Sequence, residues 1–311
     1  MNIPFIDAKT LRSTLSYASL VQHLRQAHRK PPPEVHRLLM QQPLDGGDEN
    51  GFLIWPAWQH GSQLGVKLCT LFPQNQQAPT VQALYALFNG KDGSLQALID
   101  GTEMTYWKTA ADSALGADLL ARQDVRTLLI VGAGAMAPHM VRAHKAMRPS
   151  LSRVVIWNRT PERAHALLAD LDGIAAQVAP DLSVAVQNAD IVCCVTSSAK
   201  ALIQGVWLRP GTHVDLIGGY TPQMREADDD VMRRSRVYVD SRWFTVEHVG
   251  DLTQPIASGV ISREDVLGDL FDLCCDRVPA HGHPSDITVF KSGGGAHLDL
   301  MTAQHISALN L

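Results

Sequence analysis

The stretch LLIVGAGAMAPHMVRAHKAMRPSLSRVVIWNRT, residues 128–160, carries the reading of the fold. It opens on the apolar run 128–131 and turns through Gly132-Ala-Gly134-Ala-Met-Ala137. Helix-forming residues continue to Arg148, and a second β-branched run follows at 154–157. That succession is strand, glycine turn, helix, strand. Each small residue meets a steric demand: Gly132 allows the tight turn, Gly134 leaves room for a pyrophosphate, and Ala137 lets the helix pack close to the strand. The N-terminus of such a helix attracts an anion through its amides and its dipole. Gly132, Gly134, Ala135 and Met136 are therefore candidate contacts to a dinucleotide, the alternative being a glycine turn without a ligand.

The end of the second strand chooses between cofactors. Enzymes that use NAD place an acid there to accept from the ribose 2′-hydroxyl, whereas this chain has Asn158, Arg159 and Thr160. An arginine pairs with a 2′-phosphate through a fork of charge-assisted hydrogen bonds, so the sequence predicts NADPH, with NADH the weaker alternative. Thr160 and Pro161 are expected to cap the next helix, which leaves Arg159 to the phosphate; otherwise it is a solvated surface residue.

Around this unit the chain has 311 residues, 45% of them hydrophobic, enough for two domains with their own cores. A formal net charge of −4 gives no electrostatic case for nucleic acid or an anionic membrane. The opening MNIPFID lacks the basic and apolar parts of a secretory signal, and no apolar run reaches membrane-spanning length, so a cytoplasmic location is expected. Cys69, Cys193, Cys194, Cys274 and Cys275 form no disulfide framework and lack zinc spacing. His281 and His283 flank Gly282 and are read as solvated loop residues, so no metal is expected.

Residues 1–30 read as a short strand at 3–6, a helix from about Asp7 and a second helix over 19–28, stopped by Pro31, Pro32 and Pro33. Strand patterns follow at 52–55, 64–71, 84–88 and 95–99, separated by turn signals at 60–61 and 89–93, as in an antiparallel sheet. Helical spacing returns over 109–121. Beyond Thr160 a helix at 161–171, strands at 191–195, 213–217, 237–239 and 288–290, and a closing helix at 296–309 mark a doubly wound parallel sheet. Ligands of such sheets lie beyond the carboxyl ends of the strands. That adds Thr196, Ser197, Gly218, Gly219 and Tyr220 as candidates for facing the nicotinamide.

Lys67 in Gly-Val-Lys-Leu, Lys108-Thr-Ala-Ala-Asp-Ser113, Gly-Ala-Gly-Ala-Met, Ile-Trp-Asn-Arg-Thr and the C-terminal Thr-Val-Phe-Lys-Ser-Gly-Gly-Gly form a recognisable set. On them the chain resembles the ornithine cyclodeaminase/μ-crystallin family along nearly its whole length. The resemblance implies an α/β fold in which a Rossmann-type doubly wound domain, residues 113–287, is inserted into an α+β substrate-binding and dimerisation domain, residues 1–112 plus 288–311. It also implies a homodimer paired through the N-terminal sheets. Cyclodeaminases of the family carry a catalytic Asp after the glycine pair, where this chain has Tyr220. The segment GGYTPQMRE, residues 218–226, is similar to that of bacterial reductases of Δ1-pyrroline-2-carboxylate and Δ1-piperideine-2-carboxylate. The expected function is NADPH-dependent reduction of these cyclic imino acids to L-proline and L-pipecolate. A cyclodeaminase or related amino-acid lyase, and a nonenzymatic NADPH-binding protein like μ-crystallin, are the alternatives.

Such a reduction needs cations for the substrate carboxylate, a protonated imine nitrogen and a nicotinamide close to the imine carbon. Lys67 and Lys108 match the family's carboxylate-binding Lys and Arg. An amine in the apolar strand around Lys67 is costly unless paired. Lys108 offers a point charge where relatives have a bidentate guanidinium, or it is only a snorkelling helix-start residue. Arg37, beside His36, matches a further carboxylate-binding Arg. Trp55 takes the place of a family Met and either walls the substrate pocket or belongs to the core. Of the C-terminal landmarks, Lys291 with Gly293 is expected to line the nicotinamide pocket, and Ser292 and Asp299 either to act from the cofactor side or to position the groups that do.

Overall fold

A computed structural model describes residues 3–309 except Asp48, Asp172 and His281. The chain divides into two compact units, Met1–Lys108 with Gly295–Leu311, and Thr109–Gly294.

The first unit begins with β1 (Phe5–Ile6), α1 (Ala8–Thr14) and α2 (Tyr17–Ala27). The Asp7 carboxylate accepts from Thr10 N and the Ser16 hydroxyl from Ser19 N, which fixes where each helix starts. Six strands follow: β2 (Glu34–Val35), β3 (Leu38–Pro43), β4 (Glu49–Trp58), β5 (Gln63–Leu71), β6 (Val81–Asn89) and β7 (Leu95–Asp100). They form one sheet in the order β1-β7-β6-β5-β4-β2, with β3 also on β4, antiparallel except for the β1–β7 pair. Strand alternation turns Gly65, Lys67 and Cys69 to the buried face, and Leu64, Val66 and Leu68 to the half-exposed one. β2 and β3 keep a single register against β4, with Val35 opposite Ala57 and Leu38 opposite Ile54. They part at His36 and Arg37 because Pro56 has no amide to complete the ladder, although His36 N still donates to Pro56 O.

The helix α3 (Gly101–Leu120) starts well before the expected Thr109. Its start is set by Asp100, whose carboxylate accepts from Glu103 N at 2.8 Å. The second unit then alternates strands and helices: β8 (Thr127–Val131), α4 (Ala137–Met147), β9 (Arg153–Trp157), α5 (Pro161–Ala169), β10 (Ala176–Val178), α6 (Leu182–Gln187), β11 (Ile191–Cys194) and β12 (His213–Leu216). It continues with α7 (Asp229–Arg234), β13 (Ser235–Val239), α8 (Arg242–Thr245), α9 (Gly250–Ala257), β14 (Val266–Asp269), α10 (Leu270–Cys274) and β15 (Ile287–Lys291). All eight strands are parallel, in the order β10-β9-β8-β11-β12-β15-β13-β14. β11, β12 and β15 are buried along their whole length, as strands covered on both faces must be. The strand order reverses between β8 and β11, which is where doubly wound sheets bind ligands. The last helix, α11 (Ala296–Ala308), packs on α2, β4 and β5 of the first unit.

The divisions fall at 108/109, inside α3, and at 294/295, not at the expected 112/113 and 287/288. The second difference has a clear cause: β15 lies between β12 and β13 as a full member of the parallel sheet.

Candidate active site

In the first unit three charged side chains meet inside the fold. Lys67 on β5, Lys108 on α3 and Asp299 on α11 are 5%, 3% and 0% exposed. Lys67 Nζ lies 2.8 Å from Asp299 Oδ2 and Lys108 Nζ 2.9 Å from Asp299 Oδ1; Lys108 Nζ also donates to Gly295 O at 3.4 Å. Burial pushes the Lys67 ammonium below the ordinary lysine range, with Asp299 opposing the shift and Lys108 adding to it. Burial alone raises the Asp299 carboxyl, but Lys108 and Lys67 together outweigh it and hold it below the usual aspartate value. The Trp55 ring completes the group, its centroid 5.0 Å from Lys67 Nζ and 5.7 Å from Lys108 Nζ.

Sheet register explains why these residues share a face. Trp55 is opposite Lys67, and Lys67 is opposite Tyr85. The common register of β2 and β3 puts Arg37 opposite Trp55, in the same row, on an exposed stretch. Tyr85 is absent from the sequence reading. Its hydroxyl is buried without a hydrogen-bond partner among the described residues, and its ring lies over Gly65, where any Cβ would sit 2.3 Å from the phenol oxygen. Trp55 is half-buried, so it is neither pure core nor free surface. Lys108 is internal and paired, not a snorkelling residue at a helix start.

In the second unit the glycine turn has the expected form. Gly132 has φ +117° and a Cβ there would lie 2.8 Å from Val195 O, so only glycine fits. Around Gly134 the space is open, with no atom within 4 Å of an added Cβ. Ala135 and Met136 lead into α4, whose N-cap, Met136, offers no side-chain acceptor to the first turn, and Ala137 is wholly buried. That is a cradle for an anion. At the end of β9 Asn158 Nδ2 donates to Thr160 O at 2.8 Å. Thr160 is the N-cap of α5 with Pro161 after it, but its hydroxyl makes no cap hydrogen bond. Arg159 is exposed and has no ion pair among the described residues. Beyond β11 and β12, Thr196 and Gly218 are half-buried and both are held by Glu226, while Ser197 is exposed. Tyr220 is 63% exposed and stands directly after Gly219; the first acid in that loop, Glu226, is fully buried.

The polar groups of Lys291 and Ser292 are turned inward. Lys291 has no exposure and its amine is 3.2 Å from Asp251 Oδ2, while the Ser292 hydroxyl donates to Asp112 at 2.8 Å inside the unit. Both follow from β15 being an inner strand of the sheet. Ser113, His144, Cys193 and Asp215 form another buried cluster, in which the Ser113 hydroxyl donates to Asp215 and His144 Nε2 lies 3.1 Å from Ser113 Oγ and 3.2 Å from Asp215 Oδ2. These groups tie α3 and α4 to the sheet, while His144 Nδ1 and Asp215 Oδ1 are buried without a hydrogen-bond partner among the described residues. His283 hydrogen-bonds to Ser285 at 2.7 Å, and His281 lies outside the described residues.

The sequence pattern of the ornithine cyclodeaminase/mu-crystallin family matches residues 29–308, a span that holds the lysine pair, the glycine turn and Asp299. The chain belongs to the ornithine cyclodeaminase/mu-crystallin family. Within the family, a Delta(1)-pyrroline-2-carboxylate reductase of Paracoccus denitrificans is 46% identical over 307 residues, covering 97% of this chain and 96% of its own. The ketimine reductase mu-crystallin of Mus musculus is 32% identical over 307 residues, covering 93% and 95%. The structure of a Thermococcus litoralis Delta(1)-pyrroline-2-carboxylate reductase in complex with NADH and L-proline has a TM-score of 0.90 at 25% identity, covering 99% of this chain and 98% of that one.

Proposed function

We propose that this family member reduces cyclic imino acids, Δ1-pyrroline-2-carboxylate to L-proline and Δ1-piperideine-2-carboxylate to L-pipecolate, with NADPH as the preferred hydride donor. One observation carries the reading. The buried cluster of Lys67, Lys108 and Asp299 sets two ammoniums against one carboxylate, leaving one unit of positive charge that a substrate carboxylate neutralises. Asp299 holds the two ammoniums apart and aimed, Trp55 walls the site with its ring face, and Arg37 adds a cation further along the same row. The Paracoccus and Thermococcus relatives, both named for this reaction, support it.

The second unit fits a dinucleotide: the open space at Gly134 and the uncapped first turn of α4 accommodate a pyrophosphate. When bound, the cofactor supplies the hydride that the imine carbon accepts. The preference for the 2′-phosphate rests on Arg159, exposed and without an ion pair among the described residues where an acid would favour NAD, although the Thermococcus reductase was solved with NADH. A cyclodeaminase reading lacks its acid, since Tyr220 stands there.

The half-exposed face of the first unit's sheet is apolar, with Leu38, Met40, Phe52, Trp58 and Phe88 on it, and supports a homodimer formed through that face. None of the five cysteines is in a disulfide, which supports a reducing compartment such as the cytoplasm. Among the described residues no helix is long and apolar enough to cross a membrane.

The test is NADPH consumption with Δ1-pyrroline-2-carboxylate, run beside ammonia release from ornithine with NAD. Consumption without deamination is expected; tight NADPH binding with no turnover on either ring size would favour the binding-protein reading. Arg159→Asp is expected to move the kcat/KM ratio toward NADH, and an unchanged ratio removes the phosphate assignment.

A further inference from the structure

We propose that Glu226 is a positioning residue for the nicotinamide half of the cofactor, a buried carboxylate that fastens the end of β11 to the end of β12. The inference rests on the dinucleotide reading above and assigns a role to a residue that the motif reading passes over.

β11 and β12 are adjacent parallel strands, in register from Ile191 opposite His213 to Cys194 opposite Leu216. The ladder runs one residue further, where Ile217 N donates to Cys194 O. Past that point the chains diverge and their amides need other acceptors. Glu226 supplies them. Its Oε1 accepts from Thr196 N at 2.7 Å and from the Thr196 hydroxyl at 2.9 Å, and its Oε2 accepts from Gly218 N at 2.8 Å. The Thr196 oxygen in turn accepts from Ser198 N at 3.3 Å, which leaves the hydroxyl proton to Glu226. With three donors and no hydrogen-bond acceptor on it among the described residues, the group fits as a carboxylate.

The packing at these ends is close. A Cβ on Gly218 would lie 1.9 Å from Thr196 O and 2.6 Å from Glu226 Oε1, so Thr196 and the carboxylate leave no room for a side chain there. Glu226 is itself fixed. It is fully buried, its amide donates to Asp251 Oδ1 at 2.8 Å, and its carbonyl accepts from Leu202 N at 2.8 Å and Ile203 N at 2.9 Å. Asp251 is paired with Lys291 on the neighbouring strand β15, and Gly219 runs so close above that pair that a Cβ would come within 2.9 Å of Asp251 Oδ2.

The position relative to the ligand follows from the topology. The pyrophosphate belongs at the turn after β8 and the adenosine ribose at the end of β9. The other half of a dinucleotide therefore crosses to the opposite side of the switch point, over the ends of β11 and β12. Glu226 sits under that floor and touches no part of the ligand.

Glu226→Gln tests this. Whichever way the amide turns, its NH2 meets a backbone N–H, because both carboxylate oxygens serve one, and a buried donor is left unmet. The expected result is an NADPH dissociation constant raised about tenfold, about 1.4 kcal/mol. Adenosine 2′,5′-bisphosphate, which lacks the nicotinamide half, should bind as to wild type, and the KM for Δ1-pyrroline-2-carboxylate should be unchanged. If both nucleotides weaken equally, or neither does, the proposal is overturned. Should Glu226→Gln not fold, Glu226→Asp keeps the charge but is too short to reach both loop ends, and the same split is expected. Wild-type protein that binds neither NADPH nor NADH would sink the dinucleotide reading itself, whereas wild-type binding with an indifferent Glu226 variant sinks only the fastening role.

Discussion

Replacing Lys67 by methionine separates a carboxylate anchor from a structural ion pair. The wild-type cluster holds Lys67, Lys108 and Asp299 out of water with one positive charge in excess. Lys67→Met leaves Lys108 and Asp299 as a neutral pair at 2.9 Å, and a side chain of similar length fills the space. The fold is therefore expected to keep its thermal midpoint within a few degrees. Substrate recognition loses the charge that made the site attractive to an anion. A hydrogen bond to a charged group contributes about 1.5–3 kcal/mol, so kcat/KM for Δ1-pyrroline-2-carboxylate should fall about 10- to 150-fold. The loss should appear in the KM for the imino acid, with the KM for NADPH unchanged, as measured by initial rates of NADPH consumption over both concentrations. A variant that keeps kcat/KM within about threefold of wild type would refute the reasoning, because the excess charge would then do nothing for substrate. A collapse of the thermal midpoint would refute it differently, by showing that Lys67 is needed for the fold.

Asp299→Asn leaves two buried ammoniums without a counter-charge and should cost about 3–5 kcal/mol in urea unfolding, far more than Lys67→Met; a loss under about 1 kcal/mol would mean the lysines are neutral in the fold. Gly134→Ala places a methyl where nothing lies within 4 Å, so stability should hold while NADPH titration shows weaker binding, whereas Gly218→Ala meets Thr196 O at 1.9 Å and should lose stability as well. If the two behave alike, the open space at Gly134 is not a ligand cradle. Asp240, pushed up to about 6 mainly by burial and against the pull of Thr245 and the amides of Ser241, Gly294 and Gly293, holds its proton more tightly folded than unfolded. Its contribution is full below its unfolded value of 3.8 and is lost as pH rises through about 6. The thermal midpoint of wild type minus that of Asp240→Asn should therefore decline over that interval, and a flat or rising difference contradicts the assignment.

The second unit was the most legible part of the chain because its signals are local. A β-branched run, a glycine turn and a helix sit within residues 128–160, and turn chemistry there is decided by neighbours in sequence. Strands without a marked pattern escaped: β10 has only three residues, and β3 is polar and largely exposed. The start of α3 also escaped, because it depends on the Asp100 cap and not on apolar spacing. The sequence marks Asp299 as a positioning residue but not as the partner of Lys67 and Lys108. Its helix α11 is buried on every side, so no amphipathic stripe marks a polar position as unusual, and its partners Lys67 and Lys108 are distant in the chain. Tyr85 has no sequence signal at all beyond being an aromatic in a strand; only the register puts it opposite Lys67.

Lys67 and Lys291 show where inference from pattern stops. Each is a lysine inside an apolar strand, each is buried, and the same argument, that a buried amine must be paired, applies to both. Their surroundings differ in a quantity that no local pattern contains, the sum of nearby charge. Lys67 shares one carboxylate with a second lysine, so its cluster is short of negative charge and open to an anionic ligand. Lys291 faces Asp251, with Glu226 acting on the same group of charges, so that cluster already has its anions and has no call for a substrate carboxylate. A buried lysine in an apolar strand is thus evidence for a binding site only when its counter-charges are fewer than the cations they must balance, and that count is made by tertiary packing.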